Sequence, residues 1–80
     1  MTSAFVFVQL GSLGGLSEAR AVHDAIHAVS GVKTVHFVAG PTDVIVFVES
    51  ADTPGLTEAV GRIRSLKGVA STDTRIVMAM

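Results

Sequence analysis

Two short runs, Ala4-Phe5-Val6-Phe7-Val8 and Val44-Ile45-Val46-Phe47-Val48, are apolar at every position. They are short and rich in Val, Ile and Phe, so they read as strands. Successive side chains of a strand point to opposite faces, so both faces of each run require cover. A sheet with one wet face alternates apolar and polar residues instead. The chain has only 80 residues with which to provide that cover, which is one domain near the small end of what folds alone. A core of this size rarely supplies more than about 3–5 kcal/mol, and such domains lean on disulfides, metals or a partner chain. There is no cysteine, which excludes disulfides and thiolate metal sites and disfavours a stapled secreted module. Oligomerisation is the support that is left.

The rest of the chain arranges itself around these runs. Ala4 to Leu10 is a first strand, followed by the loop Gly11 to Gly15. Ser17 to Val29 has a helical period, with Ala19, Val22, Ile26 and Val29 on one stripe and Arg20, Asp24 and His27 opposite. Ser17 suits the N-cap, Glu18 the first turn, and Gly31 the stop. Lys33 to Ala39 is a second strand and Asp43 to Glu49 a third. Thr53 to Lys67 is a second helix, with Leu56, Ala59, Val60, Ile63 and Leu66 facing inward. Thr53 or Asp52 caps it, Pro54 opens it and Gly68 stops it. Thr72 to Met78 is a fourth strand. A repeat of about 37 residues places Ser30-Gly31-Val32 and Lys67-Gly68-Val69 in the same role. The order strand-helix-strand-strand-helix-strand is the α+β, ferredoxin-like βαββαβ arrangement. It predicts a four-stranded antiparallel sheet with both helices on one face. The other face of the apolar strands then exceeds the patch that soluble monomers tolerate, and no residues are left to cover it. Dimerisation sheet to sheet is the expectation.

Composition removes several function classes. Six basic residues balance seven acidic ones without a basic cluster, which disfavours direct nucleic-acid binding. Four phenylalanines with no tryptophan or tyrosine make a poor base-stacking platform. No apolar run approaches the roughly 20 residues of a membrane span, and the N-terminus lacks the basic region of a signal peptide. The expected location is the cytoplasm.

Four places carry candidate chemistry. His23 and His27 are four apart on one helix face, a spacing that can bind a divalent metal. There is no third ligand at a motif distance, and Arg20 on the same face repels a cation, so a solvated face is favoured. His36, mid-strand on the side of Thr34 and Val38, has no nucleophile placed near it and reads as a packing or interface residue. The loop Gly11-Ser12-Leu13-Gly14-Gly15 lies between strand and helix as a phosphate cradle does, but it matches neither dinucleotide nor Walker spacing. No cofactor is implied. The turn Gly40-Pro41-Thr42-Asp43 is explained by turn chemistry alone. Equally, Asp43 at the edge of an apolar region could receive an ammonium group while turn N–H groups receive a carboxylate. In the stretch Ser71-Thr72-Asp73-Thr74-Arg75, Thr72 and Thr74 share one strand face, and Asp73 and Arg75 the other. The two hydroxyls suit a small zwitterion, and they equally suit an ordinary edge strand.

The stretches AFVFVQL, SGVKTVHFVAGPTDVIVFVES and ADTPGLTEAVGRIRSLKGVASTDTRIVM together resemble the effector-binding (RAM) domain of the Lrp/AsnC feast/famine regulators, over about residues 3 to 78. The marks are Gly-Val after each helix, Gly-x-x-Asp heading an apolar strand, and Ser-Thr-x-Thr-x-Ile-Val near the end. The resemblance implies one ligand-binding domain over residues 1–80, dimers through sheet faces, and assembly to octameric or decameric rings. It also implies an amino acid or similar effector bound between dimers. By position, the pocket takes Gly40, Pro41, Thr42 and Asp43, with Ser71, Thr72 and Thr74 of the last strand. Thr42 stands where the family usually has an aromatic residue, which removes a stacking surface. Only three residues precede the first strand, as in stand-alone members without a helix-turn-helix domain. Such members sense effectors or co-assemble with full-length regulators.

The leading expectation is therefore a non-enzymatic amino-acid-sensing assembly module tied to transcriptional control. Alternatives share the fold. A small dimeric α/β-barrel monooxygenase or isomerase needs a polar group between sheet and helices, with His36 as its candidate. An ACT-like module binds near Gly11 to Gly15. A purely structural assembly unit needs no pocket.

Overall fold

The computed structural model of the chain describes residues 1–11, 16–39 and 43–78. The elements are β1 (Thr2–Leu10), α1 (Leu16–His27), β2 (Val32–Phe37), β3 (Val44–Ser50), α2 (Thr53–Arg64) and β4 (Val69–Ile76). They form the βαββαβ arrangement, with a four-stranded antiparallel sheet in the order β2-β3-β1-β4. The two uninterrupted apolar runs become the two central strands.

One face of β1 and β3 supplies Ala4, Val6, Val8, Val44, Val46 and Val48, all fully buried. Val22 and Ile26 of α1 and Leu56, Ala59, Val60 and Ile63 of α2 pack over them. The periodicity of both helices is thus a single apolar stripe laid on one sheet face. No polar side chain is buried among the described residues.

The repeat seen in the sequence has a structural counterpart. Gly31 and Gly68 have φ of 99° and 97°, a region that glycine enters without steric cost. The amide of Val32 donates to the Val29 carbonyl and that of Val69 to the Leu66 carbonyl, at 3.1 and 3.2 Å. Each glycine carbonyl then accepts a bond from the end of a central strand. Gly31 takes the amide of Glu49 and Gly68 takes that of Gly11, both at 2.8 Å. The two halves of the chain therefore close on the sheet in the same way.

Several boundaries move from the expected ones. Both helices end early, at His27 and Arg64, because the glycine turn consumes the residues between them and the next strand. For the same reason β4 starts at Val69 rather than Thr72. Helix α1 begins at Leu16, so Ser17 lies within its first turn rather than before it. Asp52, not Thr53, caps α2, its carboxylate accepting the Gly55 amide at 2.9 Å.

Candidate functional site

The sheet face away from the helices is open. Strand register lays its side chains in two rows across all four strands. One row runs Thr34, Phe47, Phe5, Arg75 and the next runs His36, Ile45, Phe7, Asp73. The inner positions are apolar and the outer ones polar. Phe5 and Phe47 pack ring to ring at 5.0 Å, yet Phe5 is 43% exposed. This face is the second surface that the apolar runs require.

Asp43 sits at one end of this sheet, half-buried. Its amide donates to the Val8 carbonyl at 3.2 Å and its own carbonyl accepts the Val38 amide at 3.0 Å. One carboxylate oxygen, Oδ2, accepts the Leu10 amide at 2.9 Å. The physical cause is local. The Leu10 amide lies on the β3 edge of β1, as the Val8 carbonyl does, and β3 begins only at Val44. The Asp43 side chain continues the ladder where backbone carbonyls stop. Asp43 thus ties three strands together, the structural half of the two roles open to it. Gly40, Pro41 and Thr42 lie outside the described residues.

The last strand divides the other expected residues between two faces. Thr72 and Thr74 point to the helix side, opposite Val8 and Val6. The Thr72 hydroxyl accepts a hydrogen bond from Arg64 Nε at 3.3 Å. Thr74 lines a cleft of about 260 Å³ between α2 and β4, with Leu56, Val60 and Ile76. Ser71 faces the open side and donates to Gln9 Oε1 at 3.2 Å. Ser71 and Asp43 flank β1 at the same sheet end, two strand spacings apart, or about 9–10 Å. The structure therefore brings Ser71 to the same sheet end as Asp43, while Thr74 lies further along the strand on the opposite face.

Sequence reasoning left Asp73 and Arg75 unassigned. On the open face they form an ion pair with three hydrogen bonds of 2.9–3.3 Å. The Arg75 guanidinium lies 5.8 Å from the Phe7 ring centroid. Hydrogen bonds from Arg75 hold the Asp73 carboxyl below its ordinary range. Desolvation opposes that shift and the Arg75 charge adds to it. The pair raises the Arg75 guanidinium in return. With Phe7, Gln9 and Ser71 these residues line a shallow depression of about 470 Å³. The available signal was opposite charges two apart on a strand, beside an all-apolar neighbour.

The remaining candidates are placed as follows. The rings of His23 and His27 lie 5.8 Å apart on α1, and His23 Nδ1 is 3.2 Å from Asp24 Oδ1. His36 is on the open face, paired with Ile45, and not between sheet and helices as an enzymatic role for it required. The Gly11 amide is used by Gly68. Ser12, Leu13, Gly14 and Gly15 lie outside the described residues.

The fold and its half-apolar sheet place the chain among small ferredoxin-like modules with an open sheet face. Residues 3–80 match the profile of the Lrp/AsnC ligand binding domain, and the chain belongs to that family. It is 33% identical over 76 residues to an uncharacterised HTH-type transcriptional regulator of Pyrococcus furiosus, covering 94% of this chain and 50% of that one. It is 38% identical over 58 residues to a homocitrate synthase of Sulfurisphaera tokodaii, covering 72% of this chain and 13% of the enzyme. The chain thus spans half or less of the length of these curated relatives. A crystal structure of a Thermus thermophilus protein superposes with a TM-score of 0.85 at 30% identity, covering 100% of this chain and 96% of the other. Escherichia coli AsnC has the same fold over 99% of this chain and 52% of its own, with a TM-score of 0.81 at 15% identity.

Proposed function

We propose that the chain is a non-enzymatic effector-binding and assembly module in the transcriptional control of amino-acid metabolism, acting in the cytoplasm. The observation that carries this reading is the open face of Phe5, Phe7, Ile45 and Phe47 with Asp43 at its rim, in a chain of the Lrp/AsnC ligand-binding family. Strands of this length and number give a face of about 500 Å² in flat projection per chain. Two such faces bury about 1,000 Å², the lower bound for a specific interface. Homodimers formed in this way assemble further, to octamers or decamers.

The effector is an amino acid or similar zwitterion held at the sheet end. An ionised carboxylate accepts about four hydrogen bonds, so the Leu10 bond leaves Asp43 capacity for an ammonium group. The effector's carboxylate goes to backbone N–H groups of the Gly40-Pro41-Thr42 segment, as the family resemblance implies. Ser71 supplies a hydroxyl at that end, while Thr72 and Thr74, on the helix face, present theirs to a neighbouring dimer that completes the pocket. Binding across subunits favours the assembled state by linkage.

Two settings suit such a module. The Pyrococcus relative supports a partnership with a DNA-binding regulator of the same family. The homocitrate synthase match supports a second setting, in which the module reports effector levels to a biosynthetic enzyme.

A thermal-shift screen against the common amino acids tests the proposal. At ligand near 100 times Kd the stabilisation is about 2.7 kcal/mol, or roughly ten degrees or more for a domain of this size. A panel in which no amino acid moves the midpoint sinks the amino-acid assignment.

A further inference from the structure

The ion pair on the open face has a consequence for which chains can pair through it. This rests on the sheet-to-sheet association proposed above. Arg75 occupies the same row as Phe5, and Asp73 the same row as Phe7. Each is therefore one strand spacing, about 4.8 Å, from an aromatic ring that association must cover. The guanidinium also lies over Phe7 itself. A surface packed on Phe5 and Phe7 cannot avoid Arg75. In the free chain both side chains are well exposed, at 68% for Arg75 and 58% for Asp73. Their three mutual hydrogen bonds make them a preformed neutral unit. The two rows hold no other carboxylate or guanidinium.

We propose that the Asp73–Arg75 pair is the specificity element of the open sheet face: a second copy of this chain covers it intact, and the pairing of the two charges decides whether two sheets associate. The occupant is a second copy because the face, apart from His36, carries no net charge in these rows and is apolar at its centre. These rows complement their own copy and offer a strongly charged partner no unpaired carboxylate or guanidinium; Asp43 and Glu49 lie beyond them, at the two ends of β3. A covered pair costs less than a covered single charge because each member neutralises the other. A covered single charge is penalised heavily, since its partner is missing in a site that water has left. A related sheet that brings an unmatched charge to this place is rejected for the same reason.

The test is the dimer dissociation constant of the full chain by sedimentation equilibrium, at one fixed salt concentration. Four proteins are compared: wild type, Asp73→Asn, Arg75→Gln and the double variant. Asp73→Asn preserves shape and Arg75→Gln shortens the side chain, both at exposed positions, and circular dichroism of each variant checks the fold. Each single variant is expected to weaken association about thirtyfold or more. The double variant is expected to return to within about threefold of wild type. Single variants that dimerise like wild type overturn the inference, because the pair then lies outside the interface. A double variant as weak as the worse single one also overturns it, because charge pairing is then not what matters. A wild-type chain that is monomeric at micromolar concentration overturns the sheet-to-sheet reading itself, an outcome distinct from the other two.

Discussion

Asp43 is asked to do two jobs, and two substitutions separate them. Asp43→Ala removes the oxygen that accepts the Leu10 amide at 2.9 Å and leaves a part-buried donor without its partner. Such a loss costs about 1–3 kcal/mol. For a domain of this size about 1 kcal/mol lowers Tm by about 4–8 °C. Asp43→Ala is therefore expected to lower Tm by about 4 °C at least, and by up to about 24 °C. Asp43→Asn keeps a side-chain oxygen in the same place, so the ladder beyond Val44 survives and the loss falls below about 1 kcal/mol. The same substitution removes the charge that receives an ammonium group. Asp43→Asn is expected to fold almost like wild type, yet to lose most of the stabilisation that an effector amino acid confers. The assay is thermal unfolding followed by circular dichroism, with and without the amino acid that gives the largest wild-type shift. An Asp43→Ala protein as stable as wild type refutes the structural role. An Asp43→Asn protein that keeps the full ligand shift refutes the ammonium-binding role.

Three further outcomes follow from particular residues. Gly31→Ala places a Cβ 2.9 Å from the Glu49 carbonyl oxygen at a φ of +99°, and it should destabilise by at least about 1–2 kcal/mol, read as a lower urea midpoint with unchanged slope. Gly61→Ala should do the opposite, because this exposed helical position has open space for a methyl group; a gain of about 0.5–1 kcal/mol is expected in the same urea series. The Asp73 carboxyl is depressed by its Arg75 hydrogen bonds, so its pairing is fully present above the ordinary value of 3.8 and is lost as pH falls through the lowered one. Arg75→Gln should move that titration upward, as measured by carboxyl ¹³C NMR, and an unmoved Asp73 would show that the pair does not form in solution.

The fold was legible because each level of the sequence pointed the same way. Val22, Ile26, Leu56, Val60 and Ile63 carried the helix stripes, Gly31 and Gly68 marked the repeat, and the apolar runs named the central strands. Strand and helix ends were less legible. The glycine turns take residues that look helical by period, as Leu66 does, and pairing with Leu10 draws Val69 into β4 earlier than its own composition suggests. The site was legible in part. Asp43 stood out as a carboxylate beside an apolar strand. Its partner did not, because the Leu10 amide lies beyond the last β1–β3 pair, Val8 with Val44, and where pairing between distant strands ends has no local signature. Thr72 and Thr74 were read correctly as sharing a face, but which face depends on what covers it. The helices cover theirs, which leaves Asp73 and Arg75 on the open side. The ion pair was passed over because neighbouring opposite charges on a strand are usually solvent decoration. Only the row it shares with Phe5 and Phe7 gives it a context.

The central claim is that the open sheet face is a contact surface whose assembly an amino acid strengthens. Size-exclusion chromatography with light scattering, at micromolar concentration, measures this directly when run with and without the effector from the thermal screen. The mass should be a dimer or a multiple of dimers without ligand, and the larger species should gain population with it. A monomer under both conditions, with Phe5 and Phe7 left in water, contradicts the account.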